Sequence, residues 1–209
     1  MNQFHNSCIF RICVCIAILL IATAIANRRQ EYEESRETYT SLNIPESRSR
    51  GGISRYDDLV KKYSAEIGMD WRLLSAIIWY ESGFSMDVRS PYGAVGLMQV
   101  KQSTASAYGI DDVYNPDSNL SAGTKHLKRL MKMYEREGID SLNVLKFTLA
   151  AYNCGENRLQ LYRDRAFEKG VDPNDWEAVR STFDFPEGKI PLYIDDIICK
   201  WEDYIQKGY

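Results

Sequence analysis

From Arg55 onward, apolar residues recur every three or four positions, and that spacing commits the chain to helices packed through one face each. Tyr56, Leu59, Val60, Tyr63 and Ile67 form the first such series, and Gly68 marks its end. Asp70 is a suitable N-cap for the next helix, which carries Leu73 to Tyr80 and stops near Gly83. Ser90-Pro91-Tyr92-Gly93 is a turn signal, Lys101 to Tyr108 fits a short helix, and Asn115-Pro116 breaks the chain. Leu120, Gly123, Leu127, Leu130, Met131 and Tyr134 mark one long amphipathic helix. Further helices are expected from about Leu142 to Tyr152, from Asn157 to Phe167 and from Ile190 to Ile205. Alternation of the strand type is confined to a short stretch near Val95 to Val100, so the predicted fold class is mainly α, with at most a minor β element.

The N-terminal quarter reads differently. Ile12 to Ala26 is apolar apart from Thr23, comes after Arg11, and ends in Ala24-Ile25-Ala26. Residues 1–26 therefore read as a cleaved signal peptide or a retained membrane anchor, and either route exports the rest of the chain. Cys13 and Cys15 lack the flanking residues of a lipid-modified cysteine. Residues 27–54 are polar, rich in Arg, Glu and Ser, and read as a disordered linker with too little apolar surface to fold. Residues 55–209 then make one domain. With 209 residues, 44% apolar and 26% charged, the chain can bury an ordinary core. The net charge of −3 argues against a nucleic-acid partner. His5 and His126 are too far apart for a metal cluster, and His126 is expected at a helix surface. No phosphate loop, zinc helix or Cys-x-x-Cys pair is present, so neither metal nor cofactor is expected. Beyond the leader only Cys154 and Cys199 remain. They are either a disulfide pair or two separate thiols.

Glu81 is the residue with the most chemistry in it. It falls in the last turn of an apolar helix, where unpaired carbonyls disfavour an anion. Burial beside Trp79 and Tyr80 would add to that effect, and both raise a carboxyl pKa. A glutamic acid protonated near neutral pH can serve as a general acid. Trp79 and Tyr80 themselves read as core residues.

Two segments accompany Glu81. In Ser90-Pro91-Tyr92-Gly93-Ala94-Val95-Gly96-Leu97-Met98-Gln99, the glycines permit turns and close approach to a ligand. Gln99 offers donors and acceptors suited to hydroxyl and acetamido groups, and Met98 suits either an apolar slot or the core. In Ala150-Ala151-Tyr152-Asn153-Cys154-Gly155, Tyr152 and Asn153 stand at a helix end.

Taken in order, Glu81-Ser82-Gly83-Phe84, Ser90 to Gly93, Gly96-Leu97-Met98-Gln99 and Ala151-Tyr152-Asn153 resemble the catalytic domain of the soluble lytic transglycosylases. That family has a goose-type lysozyme-like fold. The resemblance covers roughly residues 57–157, with a looser echo at Ile190-Pro191-Leu192-Tyr193-Ile194, and departs at Cys154, where the family has a small residue. It implies a lysozyme-like helical domain with a substrate cleft, working as a monomer on peptidoglycan strands in the bacterial cell envelope. It implies Glu81 as the single general acid and base. Ser90 and Gln99 would hold the sugar, Met98 would line the pocket, Tyr152 would orient Glu81, and Asn153 would hold the loop or the glycan. The implied reaction cleaves the β-1,4 bond between N-acetylmuramic acid and N-acetylglucosamine and leaves 1,6-anhydromuramoyl ends. Two other readings stay open: a goose-type lysozyme-like hydrolase, and a non-catalytic glycan-binding scaffold.

Overall fold

The computed structural model describes residues 52–183 and 189–209; the expected leader and nearly all of the expected linker lie outside them. The described domain is a helical bundle with one small hairpin inserted between its second and third helices. Its elements are α1 (Asp57–Ile67), α2 (Trp71–Ser82), β1 (Ala94–Val95), β2 (Val100–Lys101), α3 (Gln102–Ser106), α4 (Pro116–Arg136), α5 (Ser141–Cys154), α6 (Glu156–Glu168), α7 (Trp176–Arg180) and α8 (Lys189–Gln206). The chain is anchored just ahead of α1, where the backbone amides of Ile53 and Ser54 both donate to the Asp57 carboxylate.

Local chemistry sets the helix ends. Asp70 caps α2 by accepting the Arg72 amide, and Asp140 caps α5 through the amides of Leu142 and Asn143. Gly68 and Gly83 close α1 and α2 in the left-handed conformation. Asn115-Pro116 does more than break the chain. Asn115 is the N-cap of α4 and Pro116 its first residue, where a missing N–H costs nothing.

Helix α2 is the axis of the core. Leu74, Ala76, Ile77 and Ile78 have no exposed surface, and burying each of the larger three contributes about 1.5–3 kcal/mol. It packs against α1 and α8, while α5 packs against α4, α6 and α8. Helix α8 therefore touches both the helix that carries Glu81 and the helix that carries Tyr152. Trp79 departs from the core expected of it: it is over a third exposed, with the Lys200 ammonium 4.6 Å from its ring centroid.

One buried residue ties the hairpin to α4. Asn119, in the first turn of α4, donates to the carbonyls of Val95 and Val113, each at 2.9 Å. Its Oδ1 accepts the Met98 amide, also at 2.9 Å. Two glycines make the approach possible. A Cβ on Gly96 (φ 73°) would stand 2.7 Å from the Asn119 amide nitrogen, and a Cβ on Gly123 would run into the Met98 side chain.

Replacing Asn119 by Ala removes the side-chain partner of the Met98 amide and the Val113 carbonyl, at about 1–3 kcal/mol each, while the Val95 carbonyl keeps its pairing with β2. Urea unfolding of Asn119→Ala should show a loss of about 2–5 kcal/mol. A loss below about 1 kcal/mol would show that other contacts hold the hairpin.

Candidate active site

Glu81 lies in the last turn of α2 and is half-buried, with a partly accessible face. Its Oε1 accepts a hydrogen bond from the Tyr193 hydroxyl at 2.7 Å. Burial pushes the Glu81 pKa up to about 7, and the Tyr193 bond, which favours the carboxylate, works against that rise. Among the described residues no second carboxylate takes part in the shift. The negative end of α2 acts in the same direction as burial. Tyr193 projects from α8, is 1% exposed, and meets the Tyr80 ring edge-on at a centroid distance of 4.7 Å. Its own pKa lies well above the usual range because of burial and then the Glu81 charge, so it stays a hydrogen-bond donor.

The hairpin is fastened to this helix end. The Ser82 hydroxyl lies 2.9 Å from the Leu97 carbonyl and 3.2 Å from that of Ile78, so Glu81 and Leu97 are fixed in relation to each other. Ala94 pairs with Lys101 and Val95 with Val100, while Arg89 bridges to Val95 on the other side. Gln99 holds a left-handed backbone (φ 47°), a strain of order 1 kcal/mol that its surroundings must hold in place. Its amide nitrogen donates to the carbonyls of Val88 at 3.2 Å and Gly96 at 3.0 Å, so this group is spent inside the loop. The Ser90 hydroxyl oxygen accepts the amides of Tyr92 and Ala94, leaving its proton to donate elsewhere.

Tyr152 extends from α5 and donates to the Met98 carbonyl at 2.7 Å. It lies close enough to Glu81 for that charge to raise its own pKa, although burial is the larger cause. The hydroxyl bonded to Glu81 is thus that of Tyr193, and Tyr152, expected to orient Glu81, bonds the loop instead. Met98, expected to line the pocket, has no exposed surface. It is fully buried against Gly123, because its amide must reach down to Asn119. Asn153 is exposed at the end of α5. The neighbouring Cys154 is half-buried, its thiol pushed up to about 11 by burial and so held in the unreactive form. Cys199 is a second free thiol. His126 is less exposed than expected: it lies against the Tyr152 ring, with Nδ1 3.1 Å from the Tyr108 hydroxyl.

Ser90, Met98, Gln99 and Tyr152 are therefore brought to one loop that stands on the end of α2 beside Glu81. Sequence reasoning missed Tyr193 as the partner of Glu81 and Asn119 as the anchor of the loop. The echo at Ile190 to Ile194 was the available signal for Tyr193.

A carboxyl whose folded pKa is raised from 4.5 to about 7 costs the folded state nothing below pH 4.5. Between those values the unfolded chain ionises first, so stability falls as pH rises, and the loss is complete above about 7. Glu81→Gln should therefore be more stable than wild type at pH 8, by up to about 3 kcal/mol, with the gap closing toward pH 4.5. Denaturant unfolding at both pH values checks this, and a gap independent of pH would contradict it.

Known proteins share this fold. Residues 58–173 match the family model of the Transglycosylase SLT domain. A membrane-bound lytic murein transglycosylase F 1 from Alkalilimnicola ehrlichii is 36% identical over 128 residues, which cover 61% of this chain and 26% of that protein. The chain thus spans about a quarter of that relative's length. The 70 kDa soluble lytic transglycosylase of Escherichia coli superposes with a TM-score of 0.58 at 24% identity, over 75% of this chain and 25% of the other. An inactive mutant of the lytic transglycosylase Slt from Pseudomonas aeruginosa gives the same TM-score at 23% identity, over 79% of this chain and 25% of the other. The helical frame matches those structures, and the segment matched by the family model contains both Glu81 and the loop fixed to it; this chain belongs to the Transglycosylase SLT domain family.

Proposed function

We propose that this chain is a peptidoglycan lytic transglycosylase, a lyase that cleaves the β-1,4 bond between N-acetylmuramic acid and N-acetylglucosamine and leaves 1,6-anhydromuramoyl ends. The observation that carries the reading is the half-buried Glu81, with its pKa near 7 and a tyrosine hydroxyl on one oxygen, in a chain of this family. The names of its relatives agree with it. So does the Pseudomonas aeruginosa structure, which is that of an inactive glutamate-to-glutamine mutant.

The chemistry depends on the state of one proton. Neutral Glu81 donates it to the bridging oxygen as the bond from that oxygen to the muramoyl anomeric carbon breaks. The substrate's own acetamido oxygen shields the developing positive charge, a task that a second carboxylate performs in most glycosidases. Ionised Glu81 then receives the proton of the muramoyl C6 hydroxyl as that oxygen bonds to the anomeric carbon. The enzyme returns to its starting state, and no step calls on a metal or cofactor. Intramolecular attack of this kind gains several kcal/mol from proximity. The Tyr193 hydrogen bond steadies the carboxylate during the interval in which it is charged. In this scheme Ser90, the side-chain oxygen of Gln99 and Asn153 contact the sugar, while Met98 and Tyr152 support the loop from beneath.

The site of action in this reading is the cell envelope, with the chain tethered or released through its N-terminal segment and acting as a monomer. Relatives named as membrane-bound murein enzymes support it. Among the described residues no helix is long and apolar enough to cross a membrane.

Digestion of purified murein with mass spectrometry of the products tests the proposal. Anhydro ends are expected. Reducing ends would identify a hydrolase, and unaltered murein a binding scaffold. Glu81→Gln should lose activity by at least about a hundredfold. Activity should fall above about pH 7 as Glu81 ionises. Tyr193→Phe removes the bond that lowers the Glu81 pKa, so this alkaline limb should move to higher pH while the rate drops by about tenfold. An unmoved limb would detach Tyr193 from the acid.

A further inference from the structure

One face of α4 carries charge that neither the packing of the bundle nor the reaction at Glu81 uses. Lys125, Arg129, Lys132 and Arg136 are all exposed. At about 100° per residue they fall within an arc of about 60° and make a ridge about 16 Å long. Gly123, Leu127, Leu130 and Tyr134 take the opposite side of the helix and are buried, Gly123 against Met98. The ridge therefore lies on the side of α4 away from the loop that stands beside Glu81.

The ordinary reasons for surface charge cover little of it. Glu156 pairs with Arg129, but among the described residues Lys125, Lys132 and Arg136 have no ion pair. Glu135 is the only acid between Lys125 and Arg136 in the chain, and it stands about a quarter-turn off the ridge. Lys128, at the edge of the ridge, gives its ammonium to the Glu66 carbonyl and so ties α4 to α1. Arg136 complements the negative end of the helix, a role that Lys125 and Lys132, outside the last turn, do not share. Like charges three and four residues apart disfavour a helix, so the row weakens α4 and is not explained by folding.

A row of cations in a chain of net charge −3 is complementary to a polyanion, and its shape selects which. No large hydrophobic residue of α4 is exposed, so nothing on the helix stacks a sugar or a base. A straight, convex row offers no groove to enclose one ligand, but it meets a plane of anionic headgroups with every cation at once. A basic amphipathic helix is suited to that contact. The apolar stretch from Ile12 to Ala26, read as a leader or an anchor, would bring the domain to such a plane.

We propose that the Lys125–Arg136 ridge of α4 rests on a membrane surface rich in anionic phospholipids and leaves the hairpin side of the helix free. This contact goes beyond the reaction at Glu81 and does not depend on it.

Flotation of the full-length protein with vesicles tests the ridge. One set is phosphatidylcholine alone, and the other is equal parts phosphatidylcholine and phosphatidylglycerol. Wild type should bind the mixed vesicles at least about tenfold more tightly, and the gap should shrink as sodium chloride is raised. The triple substitution Lys125→Gln, Lys132→Gln and Arg136→Gln keeps good helix formers and should remove most of that preference. A control triple, Lys61→Gln, Lys169→Gln and Lys189→Gln, removes the same charge from exposed lysines elsewhere and should retain it. Residues 1–51 are the same in every variant, so what they add cancels. Equal binding of wild type to both vesicles, or equal losses in the two triple variants, would overturn the proposal. So would a ridge variant that keeps its vesicle preference but no longer binds purified murein sacculi, which would assign the ridge to the wall polymer.

Discussion

Desolvation of one carboxyl group is the constraint around which this domain is arranged. An exposed glutamate ionises well below neutrality, and as an anion it has no proton to give. Glu81 escapes this because α2 is buried along most of its length and delivers its last turn, with the carboxyl, against α8. The Tyr193 hydroxyl acts in the opposite direction. Its bond favours the charged form, so without it the carboxyl would be harder still to ionise. Burial and a single hydrogen bond pull in opposite directions, and the balance falls near pH 7.

The hairpin has to be held against that carboxyl without a large core of its own. It is fixed from three sides by polar contacts to its backbone: Ser82 at Leu97, Tyr152 at Met98, and Asn119 at Met98 and Val95. Each anchor comes from a different helix, α2, α5 and α4, so the loop is positioned by the bundle as a whole. This arrangement explains why Gly96 and Gly123 have no side chains, since a Cβ at either place would displace Asn119 or Met98. It also accounts for Gln99, whose strained backbone is maintained by bonds to Val88 and Gly96.

Much of the helical frame was legible because helices announce themselves locally. Apolar spacing, Asp70 and Gly83 were enough to place Glu81 in the last turn of α2, and the position fixed the direction of its pKa shift. Contacts between distant residues were not legible in that way. Tyr193 lies 112 positions from Glu81, and spacing alone counted it as one more apolar residue on the inner face of α8. Burial was read correctly and the hydroxyl partner was missed. Asn119 was legible only as a position on the long helix that fits the family, and nothing near it in sequence revealed the distant backbone groups it bonds. Met98 could have faced either a ligand or the core, and the pull of Asn119 on its amide decided for the core. Helix α7 has five residues, too few to display a period, although Trp176 within it is fully buried.

Titration of the Glu81 side-chain carboxyl in the wild-type protein, monitored by carbon-13 NMR, addresses the central claim without relying on any substrate. The account predicts a midpoint near 7, assigned by its disappearance in Glu81→Gln. A midpoint at the ordinary 4.5 would mean the group is an anion at neutral pH, and the chemistry assigned to it would have no proton to begin with.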